Sequence, residues 1–474
     1  MKGVVLKSES HVNVIVVGGG AAGLAAAAAA EEAGLSCQLL EAQDRLGGRI
    51  RTVPLKSGVF DEGAQMLNGD MRAVLHLAGR AGAHLSPVPR TGIDLCIAAE
   101  ESLRAEDLIS ADEIEALLEE QVVRWDSPLE VLRALRLKLK WWNTPWESVG
   151  EVKRGLKLLV EKPEAPKDSL AAALSALLLE EEEHAMAFSL FSEMLSAAPE
   201  DINAHAVRDI SSRYMSERGD LEFQIAGGMG KIVERLASGL RHTPRLEAPV
   251  HGIRMTGGNV EVTAEAGVWR GDHVVVAVPP PAARRIAFDL HGRDELDGLL
   301  ASFTAGDMIK TVVVFESAFW RRRGLSGSVI FSDPAGLVTV DASLDDGLPP
   351  RLIAFQGGPL AREWAALPRD MRQARLLNHL GRAFGEDVST PLEVAEAVWV
   401  DHPWSGGGYN ATVRIGGNPH AVARLAAWGD RVRFAGAELD DLFWGHVEGA
   451  INSGRTAIAR ITGDLKTAAR RQLA

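Results

Sequence analysis

Apolar positions change their spacing twice between Val12 and Glu41. Val12–Val17 is apolar except for Asn13 and reads as a strand. Leu24 to Ala33 is an alanine-dominated run of helical length, stopped by Gly34. Cys37–Leu40 is a second short apolar run, and it ends in an acid, Glu41. Between the first strand and the helix lies the turn Gly18-Gly19-Gly20-Ala21-Ala22-Gly23.

Further along, Pro87 and Pro89 mark an exit from this first unit, and the pattern to about Arg218 is helical. Ser110-Ala111-Asp112-Glu113 reads as a capping box, followed by Ile114, Leu117, Leu118 and Val122 on one face. Ser127-Pro128 opens another helix, with Leu132, Leu135 and Leu139 on one face. Glu161 to Lys167 reads as an exposed loop, and a further helix runs from Ser169 through Leu179, its Glu180–Glu183 run a solvated face. Trp125, Trp141, Trp142 and Trp146 read as packing between helices, with a pocket wall as the alternative. Gly227-Gly228-Met229-Gly230 opens a helix over Lys231–Leu240, and Val250 to Val262 and His273 to Val278 read as strands closed by three prolines. From about Phe288 to Trp399 short β runs alternate with loops, among them Thr311–Phe315, Val329–Phe331, Leu337–Val340 and Leu352–Phe355. One helix, containing Ala374, Leu376, Leu377 and Leu380, interrupts them. Arg431 to Phe434 is a last strand.

The opening unit has the chemistry of a dinucleotide cradle. Gly18 permits the sharp turn, Gly20 leaves room for a pyrophosphate, and Gly23 lets the helix lie on the sheet. The first helical turn directs unpaired N–H groups and a positive dipole end at the phosphates. Glu41 is placed to accept hydrogen bonds from a ribose diol, and its charge would repel a 2′-phosphate. This unit alone does not separate NAD from FAD.

The next residues do. Arg45, Gly47, Gly48 and Arg49 put two glycines between two arginines, a pattern suited to the far side of a pyrophosphate. With Phe60-Asp61-Glu62-Gly63-Ala64-Gln65, the sequence resembles the flavin-containing amine oxidases, the family of monoamine and polyamine oxidases. The resemblance is strong over 12–69, 221–281 and 395–459 and weak elsewhere. It implies FAD, with Ala64 and Gln65 beside the flavin ring and the Val250 backbone at the adenine. It also implies Gly436 and Glu438 at the ribityl–phosphate portion, and a helix starting near Val447 whose N-terminus faces the flavin's pyrimidine carbonyl. The fold class expected is α/β. A Rossmann-like FAD-binding domain is assembled from 1–87, 219–290 and 401–474, and an α+β substrate domain from 88–218 and 291–400, including the helical part.

Composition narrows the partners. At 474 residues the chain exceeds a single core, and its net charge of −13 argues against nucleic acid. Cys37 and Cys96 form neither a disulfide framework nor a metal-ligand spacing and fit a reducing cytoplasm. Met1 to His11 is too short for a signal peptide, and no run of about 18 apolar residues occurs, so a soluble cytoplasmic protein is expected. Whether it forms a homodimer is left open.

Amine oxidation needs little acid–base machinery: a neutral amine beside flavin N5 loses hydride from its α-carbon. Three residues match the resembled family's chemistry. Lys310, which begins a strand after Gly306, matches the lysine that reaches flavin N5 through a water; from the residues alone it reads as a strand-edge surface lysine. Tyr409 follows Gly406-Gly407-Gly408 and matches one wall of an aromatic cage around the substrate amine. Gly408 stands where mitochondrial members carry a flavin-bonded cysteine, so non-covalent FAD is expected. His446 matches the second cage wall, usually aromatic in the family, and an imidazole there is expected to titrate near neutrality and either to accept a hydrogen bond from the substrate or to repel a cationic amine when protonated. Phe443 or Trp444 is available to replace the missing aromatic surface. The expected reaction is oxidation of a small-molecule amine to an imine, its hydrolysis, and reoxidation by O2 or a protein acceptor. The alternatives are a desaturase or porphyrinogen-oxidase reaction on the same fold, which needs neither Lys310 nor a cage, and a non-catalytic flavoprotein.

Overall fold

The structure is a computed structural model that describes residues 11–98, 168–177, 179–211 and 222–472, with residues 102–105, 108, 114 and 117. The capping box at 110–113, the helices expected from 118 to 160 and the four tryptophans of 125–146 lie outside the described residues.

Two large sheets organise the described chain. In the first, the strand order is Ala287–Asp289, Val250–Thr256, Asn259–Ala264, Gly267–Val276, Val12–Val17, Cys37–Leu40, with Val432–Phe434 also on Gly267–Val276. The centre is parallel, Val14 opposite Cys37 and Val16 opposite Val275. Parallel strands covered on both faces read as unbroken apolar runs, which is why Val14 to Val17 are all buried. Gly267–Val276 is longer than its neighbours and changes partners along its length. Its first half pairs antiparallel with Asn259–Ala264, and its second half pairs parallel with Val12–Val17 and Val432–Phe434.

Helix Ala21–Glu32 lies on this sheet beneath the long helix Val447–Gln472. Ala21, Ala22, Ala25, Ala26, Ala27 and Ala30 are buried, and two backbones approach closely there: a Cβ on Gly454 would stand 2.2 Å from the Ala22 carbonyl oxygen. A Cβ on Gly23 would stand 1.8 Å from the Gly18 carbonyl oxygen, so only glycine closes this turn.

The second sheet runs Glu393–Val398, Met308–Val314, Arg351–Gly357, Ala335–Asp341, Leu325–Ser332, Ile93–Ile97, Ser102–Arg104. Lys310 is the third residue of Met308–Val314 rather than its first, and this strand is flanked on both sides. The surface-lysine reading is corrected: Lys310 is 1% exposed. Helix Glu181–Met194 packs on this sheet.

The acidic run is solvated as expected, with Glu180, Glu181 and Glu182 exposed, but the helix boundary beside it is corrected. The helix from Ser169 ends at Ser175, and Glu181, Glu182 and Glu183 form the first turn of the next one. There the Glu183 carboxylate accepts from the Glu180 N–H (3.0 Å), and negative charge sits at a positive helix end.

The turn geometry yields a paired expectation. Gly23→Ala should lower the unfolding free energy by about 1–3 kcal/mol or more through overpacking. Gly79→Ala, on the exposed face of helix Arg72–Arg80 with open space around it, should raise it by roughly 0.5–1 kcal/mol. Urea unfolding midpoints of both variants check the contrast, and equal midpoints would contradict it.

Candidate active site

One cavity of about 890 Å³ runs between the two sheets. At one end it is lined by Gly18, Gly20, Glu41, Gly48 and Val250, and further along by Arg49, Ala64, Gln65, Gly436 and Val447. Lys310, Tyr409 and His446 face the same space. Of the residues singled out in the sequence for cofactor or catalysis, Gly23, Arg45 and Glu438 are outside this lining, and each has a structural reason.

Gly23 is packed against Gly18. Arg45 donates to the carbonyls of Leu46 (3.2 Å), Gly48 (2.9 Å) and Ile50 (3.3 Å), so it braces the second glycine loop from behind instead of facing a phosphate. Glu438 is fully buried and makes a bidentate pair with Arg49, Nη1 to Oε1 at 2.6 Å and Nη2 to Oε2 at 3.0 Å. Glu438 Oε1 also accepts from the Ala411 N–H (3.2 Å), while Arg49 also donates to the Tyr409 carbonyl.

The far ends of the cradle fit a dinucleotide. Glu41, 5% exposed, already accepts from the N–H groups of Gly19 (2.6 Å) and Gln43 (2.8 Å), so its carboxylate is fixed where a diol would meet it. Gly20 has nothing within 4 Å of a Cβ position, the open space a pyrophosphate requires beside a helix N-terminus. The Thr412 hydroxyl, on a residue of the cavity wall, is buried and finds no partner among the described residues. Helix Val447–Gln472 begins at the cavity, and its Glu448 carboxylate caps another helix by accepting from Ala73 and Val74 N–H, both 2.9 Å.

Lys310 donates from Nζ to the carbonyls of Asp61 (2.7 Å) and Gly63 (2.8 Å) and to Gln65 Oε1 (2.6 Å). Its ammonium therefore ties down the loop from Asp61 to Gln65. The rings of Phe60 and Phe355 each lie 5.7 Å from Nζ. Burial pushes the Lys310 pKa down to about 7, opposed by the carboxylates of Asp61 and Glu62. The Asp61 carboxylate itself accepts from the Met229 N–H at the start of helix Gly230–Ala237.

Tyr409 stacks edge-on with Phe355 (centroids 5.7 Å apart), and its hydroxyl donates to Glu193 Oε1 (3.2 Å). The glycines before it serve the protein more than a cofactor. A Cβ on Gly407 would stand 2.0 Å from the Gly306 carbonyl oxygen, and one on Gly408 3.0 Å from Trp399 Cβ. The Asn410 amide, donating to the carbonyls of Tyr409 and Gly445 (both 3.2 Å), joins the Tyr409 turn to the His446 turn.

Burial pushes the His446 pKa down to about 4, only partly offset by Asp70. The expected titration near neutrality is thus corrected: the imidazole is neutral across the physiological range and does not repel a cation. Trp444 lines the cavity, whereas Phe443 packs into the nucleotide-side core.

Glu193, near the C-terminal end of helix Glu181–Met194, was not anticipated. Burial pushes its carboxyl up to about 7, with the Tyr409 hydroxyl pulling it back. The available signal was a lone acid within the otherwise uncharged run Ala185–Ala198. Trp399, also unanticipated, lines the cavity and donates to the Glu62 carbonyl (2.8 Å). Cys37 and Cys96 are buried outside the cavity lining. No helix among the described residues is long and apolar enough to cross a membrane.

Comparison with known proteins gives this cavity its context. The model of flavin containing amine oxidoreductases matches residues 21–462. L-amino acid dehydrogenase of Synechocystis sp. is 26% identical over 443 residues, 90% of this chain and 90% of that protein. A flavin-containing amine oxidase of Danio rerio is 30% identical over 249 residues, 52% of this chain and 48% of its own. The structure of cyclohexylamine oxidase from Brevibacterium oxydans matches with a TM-score of 0.79 at 26% identity, over 96% of this chain and 100% of that one. A flavin that fills a pyrophosphate and ribose cradle is FAD. With a match that runs through both sheets and the cavity between them, the chain belongs to the flavin-containing amine oxidoreductase family.

Proposed function

We propose that the protein oxidises the C–N bond of a small amine to an imine, which water then hydrolyses to an aldehyde or ketone. The observation that carries this reading is the convergence of Lys310, Tyr409 and His446 on the cavity that also holds the glycine cradle. Bound FAD supplies the hydride acceptor, at N5, and dioxygen its reoxidation with release of H2O2. The residues proposed to hold FAD are Gly18, Gly20, Glu41, Gly48, Arg49, Ala64, Gln65, Val250, Gly436 and Val447, with Gly23, Arg45 and Glu438 supporting them from behind.

Tyr409 and His446 position the amine and exclude water. Aligning a reacting C–H bond supplies several kcal/mol of a barrier. A neutral His446 suits this role, because its ring adds no positive charge beside the amine. Lys310 exchanges between ammonium and amine close to neutrality. As an amine it keeps two N–H donors for the Asp61 and Gly63 carbonyls, and where a water takes the place of Gln65 Oε1 as third partner, its lone pair accepts a hydrogen bond from the water that attacks the imine. Aerobic incubation of the holoenzyme with amines tests the reading. Oxygen uptake matched by H2O2 and a carbonyl product is expected, and turnover only with an artificial electron acceptor would remove the oxidase step.

The cofactor assignment carries its own check. Denaturation should release FAD, since Gly408 offers no thiol and both cysteines lie outside the cavity lining. Flavin retained on the precipitated chain would contradict this.

Lys310→Met should bind FAD yet turn over roughly 10²-fold more slowly, the scale of a lost acid–base group. Stopped-flow measurement of both half-reactions decides it, and wild-type rates in both would remove Lys310 from the chemistry.

For an alkyl amine, kcat/KM should climb from pH 7 toward the amine's own value of about 10.4 as the neutral form appears. Because His446 is already neutral above about 4, His446→Gln should leave the shape of the profile between pH 5 and 8 unchanged. Loss of a limb near pH 6–7 in this variant would show that the imidazole titrates there.

A further inference from the structure

The amine-oxidation reading leaves the Glu193 carboxyl without a role. It is 9% exposed, lines the cavity and has one partner among the described residues, the Tyr409 hydroxyl on Oε1. No Lys, Arg or His among the described residues forms an ion pair with it. A buried carboxylate without a cation is costly, and here the cost shows as a carboxyl pushed up to about 7. A positively charged ligand group would offset it.

Tyr409 fixes where that group would sit. Its backbone end is held on the cofactor side, where Arg49 grips the Tyr409 carbonyl and Glu438. Its hydroxyl end reaches across to Glu193 on the helix that packs against the second sheet. Lys310 and Glu193 are separated by Phe355 and Tyr409, which touch edge to face. Glu193 thus lies a phenol ring away from the backbone beside the cofactor cradle.

The reacting nitrogen must lose its proton before hydride can leave, and a carboxylate fixed beside it would stabilise the ammonium instead. A carboxylate at the remote end of the ring has no such conflict. Its own helix and the strand Ala335–Asp341 packed against it add the apolar side chains Leu190, Met194, Val338 and Val340 to the cavity lining, which suits a methylene chain.

We propose that Glu193 anchors a second cationic group of the substrate, so that the cavity selects a linear diamine over a monoamine of the same length. The inference rests on the amine-oxidation reading and names the substrate class for that site.

The test uses the FAD-loaded full-length protein with two probes, cadaverine and n-pentylamine. The readout is kcat/KM for each, with kcat and KM separated. Wild-type protein should favour cadaverine by roughly tenfold or more, mainly through KM, the scale of one desolvated charge pair. Glu193→Gln keeps an acceptor for the Tyr409 hydroxyl and removes only the charge. It should cut the cadaverine-to-pentylamine ratio by a similar factor. An equal preference in wild-type protein, which requires no variant, would overturn the proposal. An unchanged ratio in Glu193→Gln would do so too, leaving the carboxyl as a hydrogen-bond acceptor for Tyr409 alone. If neither these probes nor cyclic and aromatic amines reduced the flavin, the parent reading would fall with it, and the result would be lack of turnover rather than an altered ratio.

Discussion

The pair between half-buried Arg49 and buried Glu438 is the contact on which the rest of the site depends. It joins residues 389 positions apart, and Glu438 is fully buried. Through it the second glycine loop, the Tyr409 carbonyl, the Ala411 N–H and the turn before the last helix share one pair of charged groups. Removing one partner of such a pair typically costs about 3–5 kcal/mol, because the other charge is left buried and unmatched. Here the loss would also detach Tyr409 from the cradle. In the proposed reading, cofactor holding and substrate positioning are therefore mechanically coupled.

A buried lysine does the same on the other wall. Lys310 sits mid-strand in the second sheet, yet its Nζ is bound by the loop at Asp61, Gly63 and Gln65. Asp61 in turn caps the helix that starts at Gly230. The two sheets are thus joined by polar contacts placed at the cavity, while each sheet has its own apolar core. Charges buried this way are poor general stabilisers and good devices for fixing one geometry.

Much of the nucleotide side was legible in the sequence because its chemistry is local. Glycines at fixed spacing, a strand before them and an acid after them specify one turn, and Gly18 to Glu41 fold as that pattern implies. Arg45 and Arg49 illustrate the limit. They look equivalent in sequence, yet one braces its own loop and the other pairs with a residue far along the chain, a distinction set by tertiary packing alone. His446 was assigned an ordinary imidazole titration because burial cannot be read from its neighbours. Glu193 was missed because helix Glu181–Met194 is defined by its packing on the second sheet and not by a motif. The solvated run at Glu180–Glu183 is legible as such, but the helix before it is drawn too long: acids suit both an exposed face and a helix start, and only the end of the preceding helix at Ser175 decides.

The central claim is that this cavity brings an amine to the flavin. Anaerobic mixing of the yellow holoenzyme with primary, secondary, cyclic and polyamines, followed by flavin absorbance, tests it most directly. The expected result is saturable bleaching by at least one amine in a single turnover, with one equivalent of imine-derived carbonyl formed per flavin. Full FAD occupancy with no bleaching by any amine would contradict the account.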